Sequence, residues 1–221
     1  MGPVILKMLP FALGSIAPTM IGLVVIFLTG TKGVVQSCAF ILGKYVFYVF
    51  WGLLALEFVD QLVFPGLNVS RNVSEGFFLL AGLLLLVLAV RNFFVEDDPD
   101  TPPPKFMTVL AKLGPFKLFG LGIGISVIQP RFIIFVLLGV SMIAEARLST
   151  TENFISLLVL ALFMVWPMLI PLVVFLVMGE RGGDAMKAMR SWLQHNQRKI
   201  NIVVMGVIGI FLLFLGLTGM Y

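Results

Sequence analysis

Six apolar stretches, each about as long as a helix needs to be to cross a bilayer, take up most of this chain. A spanning helix needs about 20 such residues. The stretches run from about Met8 to Thr29, Val34 to Val59, Phe77 to Val95, Leu118 to Ala144, Phe154 to Met178 and Ile200 to Met220. They are too long for strands and lack the alternation of a membrane barrel. Of 221 residues, 60% are hydrophobic and 12% charged. One water-soluble core of this size cannot hide so much apolar surface, so the chain reads as an all-α integral membrane protein.

That reading sets aside soluble enzymes, nucleic-acid binders and secreted disulfide scaffolds. The net charge of +4 comes from bases dispersed between apolar runs, not from a patch that could track a phosphate backbone. One cysteine, Cys38, forms no internal disulfide, and one histidine without a Cys/His cluster offers no zinc or haem site. No cofactor is expected. The first stretch is long for a signal peptide and lacks a small-x-small cleavage site, so it reads as an uncleaved span.

Six spans put both termini on one side. Lys7, Arg71 and Arg147 flank the spans on that side. Lys32, Arg91, Lys105, Lys112, Lys117, Arg181, Lys187, Arg190, Arg198 and Lys199 flank them on the other, ten against three. The positive-inside rule then places both termini outside. Glu96 to Lys105 is acidic and Pro-rich and reads as part of a cytoplasmic linker, 96–117, between halves 1–95 and 118–221. Segment 184–199 has Met186, Met189, Trp192 and Leu193 at helical spacing, with Lys187, Arg190, Arg198 and Lys199 beside them. It reads as a helix lying in the headgroup zone, or as a solvated connector. Asn68-Val69-Ser70 and Asn72-Val73-Ser74 fit a glycosylation pattern that is common by chance and read as turn residues.

The two halves echo each other. Aligning Pro18 with Pro130 also aligns Ile21 with Ile133 and Val24 with Val136. Three intervening crossings would make the two spans run in opposite directions, as in an inverted 3+3 repeat. Each proline removes an amide donor and clashes with the carbonyl four residues back, at Gly14 and Ser126. Helices 1 and 4 are therefore expected to break at Pro18 and Pro130, either as ordinary kinks or around a central transport site. Pro167 and Pro171 are expected to break the fifth span in the same way.

Two cations lie inside the apolar runs. Lys44 and Arg131 sit roughly 15 Å deep at about 1.5 Å per residue. The low insertion penalty is about 2.5–3.5 kcal/mol each, so some interaction must offset roughly 5–7 kcal/mol. One reading is an electropositive pocket for an anionic group, with Arg131 as a bidentate fork. The other is repair: Arg131 on carbonyls freed by Pro130, and Lys44 on Glu57 after bending. Ser15, Thr19, Ser126 and Gln129 either bind a headgroup or mend the helix ladder. Trp51 and Trp166 read as packing or lipid contacts. Gly206, Gly209, Gly216 and Gly219 would allow close helix contact, within the chain or between subunits.

Several segments resemble the GAP family of bacterial membrane proteins, the glycopeptidolipid-addressing or Sap-like proteins of the LysE transporter superfamily. They are Leu9-Pro-Phe-Ala-Leu-Gly-Ser-Ile-Ala-Pro18, Pro103-Pro104-Lys105-Phe106-Met107, Phe119-Gly-Leu-Gly-Ile-Gly and Ile128-Gln-Pro130-Arg131. Pro171-Leu-Val, Gly179-Glu180-Arg181, Trp192-Leu-Gln-His-Asn196 and Gly216-Leu217 continue the match in order. The resemblance implies six spans in two inverted halves, a homodimer in the bacterial cytoplasmic membrane, and movement of glycolipids or sulfated lipids outward. Family members often carry Asn and Lys around the span-four proline, where this chain has Gln129 and Arg131. The expected function is export or flipping of an anionic amphiphile by alternating access at Lys44 and Arg131. The alternatives are a non-transporting subunit of a larger lipid-export machine and a LysE-like exporter of small polar solutes. Membrane lipids are the expected partners, nucleic acid is not, and no catalytic set is seen.

Overall fold

A computed structural model of the protein describes residues 2–30, 32–61, 71–94, Leu110, 113–146, 148–179 and 182–218. The side chains of Pro3, 58–61, 71–75, Phe77, Pro130 and Arg131 are outside that description. The Pro-rich stretch 96–105, the Asn68 triplet and the side chains of Asn72 and Ser74 therefore lie outside the described residues.

Among the described residues the fold is helical throughout. The elements are α1 (Gly2–Gly14), α2 (Pro18–Leu28), α3 (Gly33–Gln61), α4 (Arg71–Phe94), α5 (Pro115–Ile128), α6 (Pro130–Glu145), α7 (Thr150–Met178) and α8 (Gly182–Thr218). Three helices are long and apolar enough to cross a membrane: α3 over Gly33–Glu57, α7 and α8. The pairs α1/α2 and α5/α6 bend by 74° and 78°, and counting each pair as one span brings the total to five. The apolar part of α4, Phe78–Phe94, is shorter. Among the described residues, two of the six apolar runs are each divided between two helices, and the described apolar part of α4 is shorter than a full span, so three to five crossings are seen.

Pro18 and Pro130 do more than kink a helix: each opens a new one. Proline suits the first helical position, where its fixed φ is right and its missing N–H costs nothing. The residue before a proline is pushed out of the helical region. Ala17 is extended at φ −128°, ψ 101°, and Gln129 lies at φ −100°, ψ 86°.

Pro167 and Pro171 do not break α7, contrary to expectation: the helix runs through both, and both are buried. Packing there holds the helix across the lost hydrogen bonds. At its start, Ser149 and Glu152 form a capping box, each side chain meeting the other's backbone N–H.

The segment 184–199 is likewise not a separate surface helix. It is the first half of α8, whose 37 residues extend about 55 Å. Met186 and Leu193 are buried and Met189 packs on the core, while Trp192 stays exposed. No Gly or Pro interrupts the passage from polar to apolar sequence, so the helix continues.

Two close helix contacts organise the body. The most extensive is α4 on α8, where a Cβ added at Gly82 would lie 2.9 Å from the Gly209 carbonyl oxygen. Gly209 therefore makes its contact within the chain, whereas Gly206 faces open space. The second is α3 on α5, where an added Cβ at Gly43 would clash with the Phe119 carbonyl oxygen, and one at Gly122 with that of Phe40. Around these contacts Phe11, Phe27, Phe40, Tyr48, Phe132 and Phe135 fill the core. Leu80, Phe116, Val177 and Leu217 are exposed on the outer faces, as lipid contact favours.

Candidate functional site

The approach of α3 to α5 places Lys44 at the end of α5. With no side chain at Gly43 or Gly122, the two backbones come close enough for the Lys44 ammonium to reach the last turn of α5. Lys44 is wholly buried, at 0% exposure. Its Nζ donates to Ser126 Oγ at 3.2 Å and to Gln129 Oε1 at 3.4 Å. It also lies 5.5 Å from the centre of the Tyr48 ring and 5.4 Å from that of Phe132. The Ser126 hydroxyl donates to the Gly122 carbonyl at 2.8 Å, which turns a lone pair toward Lys44. At the start of the same helix pair, Gln36 Nε2 donates to the Leu113 carbonyl at 2.8 Å.

The electrostatics follow from the break. The carbonyl end of α5 carries partial negative charge and favours the ammonium. The aromatic faces add cation–π attraction, which strengthens away from water. On the other side of Gln129 the N-terminus of α6 carries partial positive charge. The site therefore combines a buried cation with the positive end of a helix, a combination that suits an anion.

The structure brings together Lys44, Ser126 and Gln129, with Pro130 starting α6 beside them. Arg131 is the second residue of α6, but its side chain lies outside the described residues. Bending of α3 to pair Lys44 with Glu57 is not seen: α3 is unbroken, and 13 residues put the two about 20 Å apart along its axis.

Ser15, Pro18 and Thr19 have a different part. The buried Ser15 hydroxyl, just past the end of α1, donates to the Ala12 carbonyl in the last turn of that helix at 2.8 Å. The Trp166 indole N–H donates to that same carbonyl at 2.6 Å, so Trp166 does more than pack. Thr19 Oγ1 accepts from Gln197 Nε2 at 3.3 Å. Gly14 lies tight against Phe135 and Ile208. These contacts mend and tether the first break. The two breaks meet through α6, which sets Phe132 beside Lys44 and Phe135 beside Phe11, at 5.9 Å between rings.

Sequence reasoning missed Tyr48, Phe132 and the Gly43–Gly122 contact. Tyr48 is four residues from Lys44, on the same helix face, so spacing alone could have suggested it. Nothing local marks the glycine pair. Arg198, read from the sequence as a loop cation and as one of the charges of segment 184–199, donates through Nε to the Asn92 carbonyl at 3.0 Å and through Nη2 to that of Phe93. It satisfies the carbonyl end of α4, where a cation is favoured.

Apolar flanks around an internal polar centre mark a membrane-embedded helical protein with a buried polar cluster among its own helices. The chain matches, over residues 8–218, the family model described as Sap, sulfolipid-1-addressing protein, and it belongs to that family. The match agrees with the Sap-like resemblance of the sequence and assigns the protein a lipid-related role at the membrane. No curated protein and no solved structure matches the chain.

Proposed function

We propose that the protein moves an anionic envelope lipid, or a similar anionic amphiphile, outward across the bacterial cytoplasmic membrane. The observation that carries this reading is the wholly buried Lys44 ammonium at the break between α5 and α6. Membership in a family named for addressing a sulfolipid supports a sulfate or comparable anion as the charged group. An entering anion exchanges places with Ser126 and Gln129 on Lys44. Ser126 and Gln129 offer the ammonium only neutral oxygens, whereas an anion adds charge–charge attraction that is stronger away from water, which favours the exchange. Arg131, in the first turn of α6, adds a second cation in this scheme.

The breaks at Pro18 and Pro130 would serve as the hinges of alternating access between inverted halves 1–95 and 118–221, in a homodimer with both termini outside. The similar bends of 74° and 78° support that symmetry. The scheme needs no bond making and no cofactor.

The test is lipid movement. Purified protein reconstituted in phosphatidylcholine vesicles should carry labelled sulfated galactosylceramide from one leaflet to the other. Lys44→Met should abolish most of that movement at equal protein content. Wild-type protein that moves no labelled lipid, yet is captured with a larger export complex, would establish the scaffold role instead.

A further inference from the structure

We propose that Trp51, Asn153 and Ser156 form a second polar subsite, about 10 Å along α3 from Lys44, for the hydroxyl-bearing part of a lipid head group. This rests on the export reading only in joining the two subsites to one ligand. The seven residues from Lys44 to Trp51 set the separation, at about 1.5 Å each.

Three buried polar atoms carry the inference. Trp51 Nε1, Asn153 Oδ1 and Ser156 Oγ have no hydrogen-bond partner, and Ser156 is at 0% exposure. More than about 90% of buried polar groups are paired in folded proteins, so three on one pair of facing helices call for a partner. They share a level. A Cβ added at Gly52 would run into the Leu157 side chain, which sets positions 51–52 of α3 beside 156–157 of α7. Tyr45, further along α3, donates to the Leu158 carbonyl at 3.4 Å and keeps the two helices together. Asn153 lies three residues before Ser156, on the same face of α7.

The chemistry selects the ligand class. One group donates, one accepts, and the Ser156 hydroxyl does both; none is charged. A sulfate or phosphate would find an acceptor, Asn153 Oδ1, facing its own oxygens. An acyl chain would leave all three atoms unpaired. Sugar hydroxyls, which donate and accept, fit all three. A head group that carries both an anion and hydroxyls would engage Lys44 and this subsite together.

Binding to the full chain in phosphatidylcholine nanodiscs tests the proposal, with three probes: neutral galactosylceramide, its sulfated form and phosphatidic acid. Trp51→Phe keeps the stacking on Phe47, and Ser156→Ala removes only a hydroxyl. Each should weaken both glycolipids about fivefold, the worth of one hydrogen bond, and leave phosphatidic acid unchanged. Lys44→Met should weaken the two anionic lipids and spare neutral galactosylceramide. The subsite is overturned if wild type binds neither glycolipid or if both variants bind them normally, as buried water alone would allow. It is also overturned if phosphatidic acid weakens to the same degree. Galactosylceramide binding that depends on Ser156, without any movement of anionic lipid, would keep the subsite and remove the export reading. Lys44-dependent movement with glycolipid binding indifferent to Ser156 would do the reverse.

Discussion

The two helix breaks turn through nearly equal angles, 74° and 78°, and hold different chemistry. At the first, Ser15 and Trp166 both donate to the Ala12 carbonyl, Gly14 is pressed against Phe135 and Ile208, and nine residues of α2 are buried. That break is neutral, and the polar groups of Ser15 and Trp166 are satisfied within the protein. At the second, a buried ammonium meets Ser126 and Gln129, and the neighbouring Val127 and Ile128 are 55% and 78% exposed. That break joins a charged centre to surface that faces lipid. Proline sets the backbone turn in both places. What the turn then contains depends on which helix crosses it.

The sharpest way to break this contrast is to remove a polar group from each side. Lys44→Met should lower lipid movement about ten- to a hundredfold, the range for losing hydrogen bonds to a charged group. Ser15→Ala should keep it within about twofold, since the lost bond is local to the end of α1. Equal losses in the two variants would make the breaks equivalent and end the distinction.

A smaller effect is expected where α3 meets α5. Gly122→Ala should lower stability by about 1–3 kcal/mol, because the added methyl meets the Phe40 carbonyl. Gly124→Ala, on the same helix with nothing within 4 Å, should not. Thermal melting in detergent compares the pair, and equal melting temperatures would mean that the helices are not in close contact. At the first break, Trp166→Phe should cost about 1 kcal/mol for the hydrogen bond to Ala12, measured by the same melting. The least change is expected far from both breaks. Ser149→Ala at the exposed cap of α7 should cost about 0.5 kcal/mol and leave lipid movement unchanged.

Much of the site could be read along the chain. Lys44 stood out as a charge inside an apolar run, and Ser126, Gln129 and Pro130 stood beside a predicted break. The same rule failed at Pro167 and Pro171, because a buried, well-packed helix can carry a proline that a less supported one cannot. It failed again at α8, where the change from polar to apolar residues near Ile200 looked like a boundary but contains no helix breaker. The links from Trp166 to Ala12 and from Gln197 to Thr19 span 154 and 178 residues and leave no local trace.

Residence in a membrane and the starting points of α2 and α6 were written in the residues, because apolar length and proline geometry are properties of short stretches of chain. The distinction between a site and a repair was not. Ser15 and Ser126 both precede a helix-starting proline, and both donate at 2.8 Å to a carbonyl of the helix before the break. They differ because α3 brings Lys44 to Ser126, across 82 residues, through the glycine contact that lets two helices approach.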